Sequence, residues 1–113
     1  MHEMGLVFRI IDMAVEHAEK MNAHSITKIE IVLGDLSGVM YESLMFSFET
    51  AVKGTMLADA EILIERVPGR GRCNSCGKEY EVVNFHESCP CCSAPHLQII
   101  QGKQFKLKSI NIV

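Results

Sequence analysis

From about residue 4 to residue 21 the chain repeats with a helical period. Val7, Ile10, Ile11, Ala14, Ala18 and Met21 fall on one face, and Arg9, Asp12, Glu16, Glu19 and Lys20 fall on the other. That spacing predicts an amphipathic helix laid on a core. The period then drops to two. Across residues 25–33, Ile29, Ile31 and Leu33 alternate with Lys28 and Glu30, which with the β-branched content predicts a half-buried strand. Gly34 and Gly38 punctuate a loop. A second helical stretch follows over residues 41–53, with Leu44, Met45, Phe48, Ala51 and Val52 on its apolar side, and Gly54 stands where a helix end favours a left-handed residue. Residues 60–67 read as a second strand. Residues 104–112 read as a third, whose alternation slips near Ser109 and Ile110 and so predicts a bulge or a change of register.

A strand, a helix and a strand in succession imply a right-handed crossover and parallel pairing. Pro68-Gly69-Arg70-Gly71 then breaks the pattern, and residues 72–101 hold all five cysteines and two of the three prolines. This excursion separates the second strand from the third, and those two are expected to be neighbours, with the excursion between them as a very long hairpin loop. The expected fold is α+β: two helices packed on a small mixed three-stranded sheet, with an inserted zinc-ribbon-like module. The expected domains are residues 1–68 plus 103–113, an α/β domain, and residues 69–102, the cysteine-bearing module.

Composition narrows the function classes. With 113 residues, 48% of them hydrophobic, the chain can bury a core. Its net charge of −3, without a basic tail, argues against nucleic acid as a partner. No apolar run approaches the roughly 20 residues that span a bilayer. The start, Met-His-Glu-Met, lacks the positive segment of a secretory signal. A cytoplasmic location is expected.

The five cysteines form a poor disulfide framework and a good metal framework. Cys73-Asn74-Ser75-Cys76 and Cys89-Pro90-Cys91-Cys92 are two C-x-x-C turns with twelve residues between them. Each such turn points two thiolates into one site while nearby amides donate to the sulfurs. Two together make the tetrahedral four-sulfur environment of structural zinc, and so short a segment needs a metal to fold. Gly77 suits the tight turn after Cys76. Cys89 and Cys92 have the regular spacing, leaving Cys91 as a spare thiol, although Cys91 as ligand with Cys92 spare stays open. A thiol-redox role is the competing reading, but it requires one pair at a helix start, not two matched pairs.

The amino terminus offers different chemistry. The Met1 amine, the His2 amide nitrogen and imidazole Nδ1, and the Glu3 amide nitrogen can close fused five- and six-membered rings around one ion. Such a planar nitrogen set suits Ni(II) or Cu(II). The first amides of a helix have no intrahelical acceptor, and the helix dipole eases their deprotonation. A histidine near a chain start is also commonly incidental, and a frayed, hydrated terminus is the ordinary state.

Taken together, these features resemble the hydrogenase maturation nickel metallochaperone family, HypA/HybF. The shared residues are Met1-His2-Glu3 before a helix, Leu33-Gly34 closing a strand, and Ser37 and Val39 in the loop after it. They continue with Glu42, Leu44, Phe46 and Phe48 in the second helix, Gly54-Thr55, Ile62-x-Ile64-Glu65, and the two cysteine pairs. The resemblance implies structural Zn(II) held by Cys73, Cys76, Cys89 and Cys92. It implies Ni(II) as transiently bound cargo at Met1, His2 and Glu3, with His2 the essential side chain. It further implies a nickel-handling maturation GTPase and the large subunit of nickel–iron hydrogenase as partners, and for some relatives the urease maturation proteins. Two positions depart from the family: Tyr41 and Ser93 stand where proline and glycine are usual.

The remaining candidates are weaker. His86 and His96 flank the second cysteine pair and could serve as further ligands, though such histidines are more often idle. His17 and His24 read as structural or solvated. Met13, Met21 and Met45 read as core or near it. No nucleophile–base pattern, phosphate loop or dinucleotide fingerprint occurs, so the chain is not expected to be an enzyme, and any GTP hydrolysis must come from another protein. The runner-up reading is a zinc-ribbon interaction module without nickel transfer. Arg70, Arg72, Lys78 and Lys103 balance Glu79, Glu81 and Glu87 there, which gives phosphate little to grip.

Overall fold

The computed structural model describes residues 2–84, 88–95 and 97–113, with His2 by its backbone alone. Helix α1 (His2–Lys20) is longer at its start than the apolar period indicates. Its stripe of Val7, Ile10, Ile11, Ala14 and Ala18 is buried, none of them more than 5% exposed. Met21 is not part of it. The helix stops at Lys20 and Asn22 turns left-handed at φ 56°, so Met21 leaves the stripe and stands 60% exposed. Met13 lies beside the stripe rather than on it and is also exposed, while Met45 is half-buried.

Strand β1 (Ile26–Gly34) alternates at its start and is buried on both faces from Ile31 to Gly34. Helix α2 (Tyr41–Ala51) buries Leu44, Ser47 and Phe48 and packs on α1. Gly54 follows it at φ 77°, in the left-handed turn expected of it. Strand β2 (Glu61–Val67) and strand β6 (Phe105–Ile112) complete a sheet of order β2-β1-β6. The bonds from Ile26 N–H to the Met56 carbonyl and from Asp35 N–H to the Val67 carbonyl run in the parallel sense. Those linking Ser25 with Val113 and Gly34 with Gln104 run antiparallel, so the sheet is mixed.

The expected adjacency of the second and last long strands is incorrect, because β1 lies between them. The reason is visible in the side chains. β1 is the most apolar strand and takes the doubly covered middle, whereas β2 and β6 carry the exposed charges Glu61, Glu65, Arg66, Lys106 and Lys108 that suit sheet edges. Lys108 Nζ reaches Glu65 Oε1 at 2.9 Å over the strand between them. The burial alternation of β6 breaks at Ser109–Ile110, where both residues are half-buried.

The cysteine-rich excursion contains a second, antiparallel sheet that periodicity alone does not reveal. Strands β3 (Arg70–Cys73), β4 (Glu79–Glu81) and β5 (Leu97–Gln101) take the order β4-β3-β5. Arg72 faces Glu79 in one ladder and Gln98 in the other. Strands of three to five residues are too short to show a period of two.

The chain divides into two compact units. One comprises Met1–Val32, Val39–Glu65 and Lys106–Val113, the other Leu33–Gly38 and Arg66–Phe105. The second unit has its own small core of Leu36, Cys73, Tyr80, Val82 and Cys89, with Ala94, Leu97 and Ile99 packed against it. Leu36 is delivered by the loop after β1. Bonds from Asp35 N–H to the Val67 carbonyl (2.9 Å) and from Leu36 N–H to the Gly102 carbonyl (2.7 Å) fix that loop.

Candidate metal centre

The first cysteine turn closes the β3–β4 hairpin. Cys73 N–H donates to the Lys78 carbonyl at 2.9 Å and Gly77 N–H to the Cys73 carbonyl at 2.9 Å. The amides of Ser75 and Cys76 then point at Cys73 Sγ, at 3.3 and 3.4 Å. Residues 89–94 repeat this arrangement. Cys89 N–H donates to the Ala94 carbonyl at 3.0 Å, Ser93 N–H to the Cys89 carbonyl at 2.8 Å, and Cys91 N–H to Cys89 Sγ at 3.4 Å.

The two turns bring four sulfurs together. The Sγ atoms of Cys73, Cys76, Cys89 and Cys92 all lie within 4.8 Å of one another. Cys73 and Cys92 are 3.5 Å apart, and Cys76 and Cys89 are 3.7 Å apart. A tetrahedral zinc with Zn–S bonds of about 2.3 Å has sulfur–sulfur edges of about 3.8 Å, so the donor set fits that ion with little movement. Cys91 is exposed and outside the cluster; its amide, not its thiol, serves the site.

The four thiols are not equivalent. Amide donation from Cys76, and then from Ser75, outweighs burial at Cys73 and brings its thiol down to about 6. Donation from the Cys92 and Cys91 amides likewise lowers Cys89. At Cys76 the Lys78 amide pulls downward, but burial and the sulfurs of Cys73, Cys89 and Cys92 outweigh it and push the thiol up to about 12. At Cys92 the Ala94 amide pulls downward, and the Cys73 sulfur, burial and the Cys89 sulfur together raise it. The buried first cysteine of each pair is therefore the readier thiolate. The exposed second cysteine of each pair holds its proton more tightly.

Comparison with known proteins identifies what this architecture belongs to. The family described as "Hydrogenase/urease nickel incorporation, metallochaperone, hypA" matches residues 1–112. The chain belongs to the HypA family. Its similarity to the hydrogenase maturation factor HypA of Prosthecochloris aestuarii is 37% identity over 112 residues, covering 99% of each chain. The corresponding factor of Chlorobaculum tepidum is 38% identical over the same share of both chains. The solution structure of the Ni metallochaperone HypA from Helicobacter pylori superposes with a TM-score of 0.68 at 25% identity, over 100% of this chain and 98% of that one. The family is one of metallochaperones rather than enzymes, and the chain is a nickel-incorporation factor for hydrogenase maturation.

The other candidate residues scatter. Met1 and the His2 side chain lie outside the described residues, as do His86 and His96; Glu3 is half-buried in the first turn of α1. His17 lines an open groove with Met13 and four residues of β6, and His24 lies in a second groove beside Thr55 and Asp59. No helix among the described residues is long and apolar enough to cross a membrane. Leu36 escaped the sequence reading altogether, since nothing local marks an isolated loop leucine as part of a core assembled thirty-odd residues later.

Proposed function

We propose that the chain binds Ni(II) at its amino terminus and delivers it to the large subunit of nickel–iron hydrogenase, with Zn(II) held as a structural ion by Cys73, Cys76, Cys89 and Cys92. The observation that carries the nickel half is the start of α1 at His2. It puts the Glu3 amide in the first helical turn, where N–H groups have no intrahelical acceptor and can ionise without breaking the helix. The Met1 amine, His2 amide, His2 Nδ1 and Glu3 amide are the proposed ligands, a planar nitrogen set suited to Ni(II). Residues 1–68 plus 103–113 act as the nickel domain and residues 69–102 as the zinc domain. The zinc ion fixes the second unit's small core; the nickel ion is cargo. A maturation GTPase supplies the nucleotide chemistry that this chain lacks, and transfer takes place in the cytoplasm. Urease maturation proteins are the corresponding partners where a urease is served.

The test is a nickel titration of untagged protein beside His2→Ala, with zinc measured in both. The expected result is one nickel per wild-type chain, none in the variant, and unchanged zinc and helicity. Because amine, amides and imidazole must all lose protons, affinity falls as pH drops. Wild-type protein that keeps zinc and ignores nickel would instead be a zinc-ribbon interaction module.

A further inference from the structure

The outer edge of β6 is open: among the described residues no strand pairs with it on the side away from β1. Helix α1 shares a groove with that strand. Met13, 52% exposed, and His17 line an open groove of about 290 Å³ with Leu107, Lys108, Ser109 and Ile110, and no residue of β1 lines it. An apolar side chain, Met13, therefore borders β6 in a groove that β1 does not reach. The charges add a sign. Of the helices and strands in the first unit, β6 alone carries cations, Lys106 and Lys108, with no carboxylate, in a unit where ten carboxylates face six lysines and arginines. Edge lysines also guard against self-pairing, and that same repulsion selects for an acidic visitor.

We infer that β6 accepts an extended acidic segment of a partner protein as a fourth strand, its backbone bonding the open edge, its apolar side chains entering the Met13–His17 groove and its carboxylates meeting Lys106. Main-chain bonds supply affinity in this mode and the groove and the lysine supply selection. Lys108 is already 2.9 Å from Glu65, so Lys106 is the cation left to the visitor.

The experiment uses the full-length zinc-loaded protein and a labelled eight-residue peptide of alternating valine and glutamate, followed by fluorescence anisotropy. Saturable binding is expected, weakened by about fivefold or more in Lys106→Glu and in Met13→Glu and reduced by added salt. Both positions are exposed, and circular dichroism verifies that the variants fold. Methylating alternate peptide nitrogens is expected to abolish binding. Equal affinity for a valine–lysine peptide, or indifference to N-methylation, would overturn the inference. A concentration-dependent dimer in ultracentrifugation that the acidic peptide cannot displace would also overturn it, by giving the edge to a second copy of the chain.

Discussion

Residues 73–78 and 89–94 make the same turn twice with different residues. In each, the first cysteine donates its N–H five residues ahead, to Lys78 or Ala94, and its carbonyl accepts from the residue after the second cysteine, at 2.9 and 2.8 Å. In each, that accepting turn requires a left-handed residue: Gly77 at φ 77° and Ser93 at φ 61°. The first turn uses glycine, for which this conformation is free. The second forces a serine into it, at a strain of about 1–2 kcal/mol. Both turns bury their first cysteine in the same small core beside Leu36, Tyr80 and Val82, and the first turn also closes a registered hairpin. The metal site thus demands a backbone path, and the side chain at its tightest point is secondary.

The largest break in the symmetry comes from the sulfurs. Cys73→Ala and Cys89→Ala each remove a buried, amide-fed thiolate that is also a core side chain. Each is expected to release zinc and to unfold the module over residues 70–101. For a structural zinc site the free energy at stake is about 10 kcal/mol or more. Cys91→Ala, by contrast, should keep one zinc per chain. Metal content by mass spectrometry, with amide exchange across the module, checks all three. Zinc loss from Cys91→Ala equal to that from Cys89→Ala would reassign the fourth ligand.

The next effect isolates the strained backbone. A Cβ added at Gly77 meets no atom within 4 Å, so Gly77→Ala reports conformational strain without a clash. Its expected cost is about 1 kcal/mol, and Ser93→Gly is expected to gain about 0.5–1 kcal/mol, the glycine's extra freedom in the unfolded chain taking back part of the relief. Chelator competition against zinc-loaded protein should therefore move in opposite directions for the two variants. If Ser93→Gly loosened the metal, the serine side chain would be contributing more than its backbone angle costs.

The same contrast shows why parts of the molecule were legible in sequence. The periodic segments, α1, β1, α2, β2 and β6, have enough residues for burial to impose a pattern, and Val7 to Ala18 or Ile29 to Leu33 record it. The four clustered cysteines announced themselves by spacing. The order β2-β1-β6 was hidden, because strand adjacency depends on relative apolarity across the sheet; the clue was that β1 alone is apolar on both faces near its end. Leu36 was hidden for a different reason: its core is built from residues distant in the chain. Met21 misled because a helical stripe was extended past the point where the backbone ceases to be helical.

The smallest effect separates the turns by charge. Arg72 Nη2 bonds Glu79 Oε2 at 2.8 Å at the base of the first turn, both side chains being nearly half exposed; no such pair braces the second turn among the described residues. Hydrogen bonding from Arg72, followed by its charge and that of Arg70, holds the Glu79 carboxyl below its ordinary 4.5. A lowered carboxyl stabilises the fold fully above its unfolded pKa and loses that contribution as pH falls through the folded value. Glu79→Gln should therefore speed exchange of the Gly77 amide slightly at pH 7, relative to the Ser93 amide of the second turn. The difference should narrow as pH drops below the ordinary carboxylate value, and shrink in high salt at any pH. Using Ser93 as the internal reference removes the effect of metal loss, which loosens both turns alike. An equal change at Ser93 would mean that the ion pair braces the whole module, and the two turns would then be mechanically one.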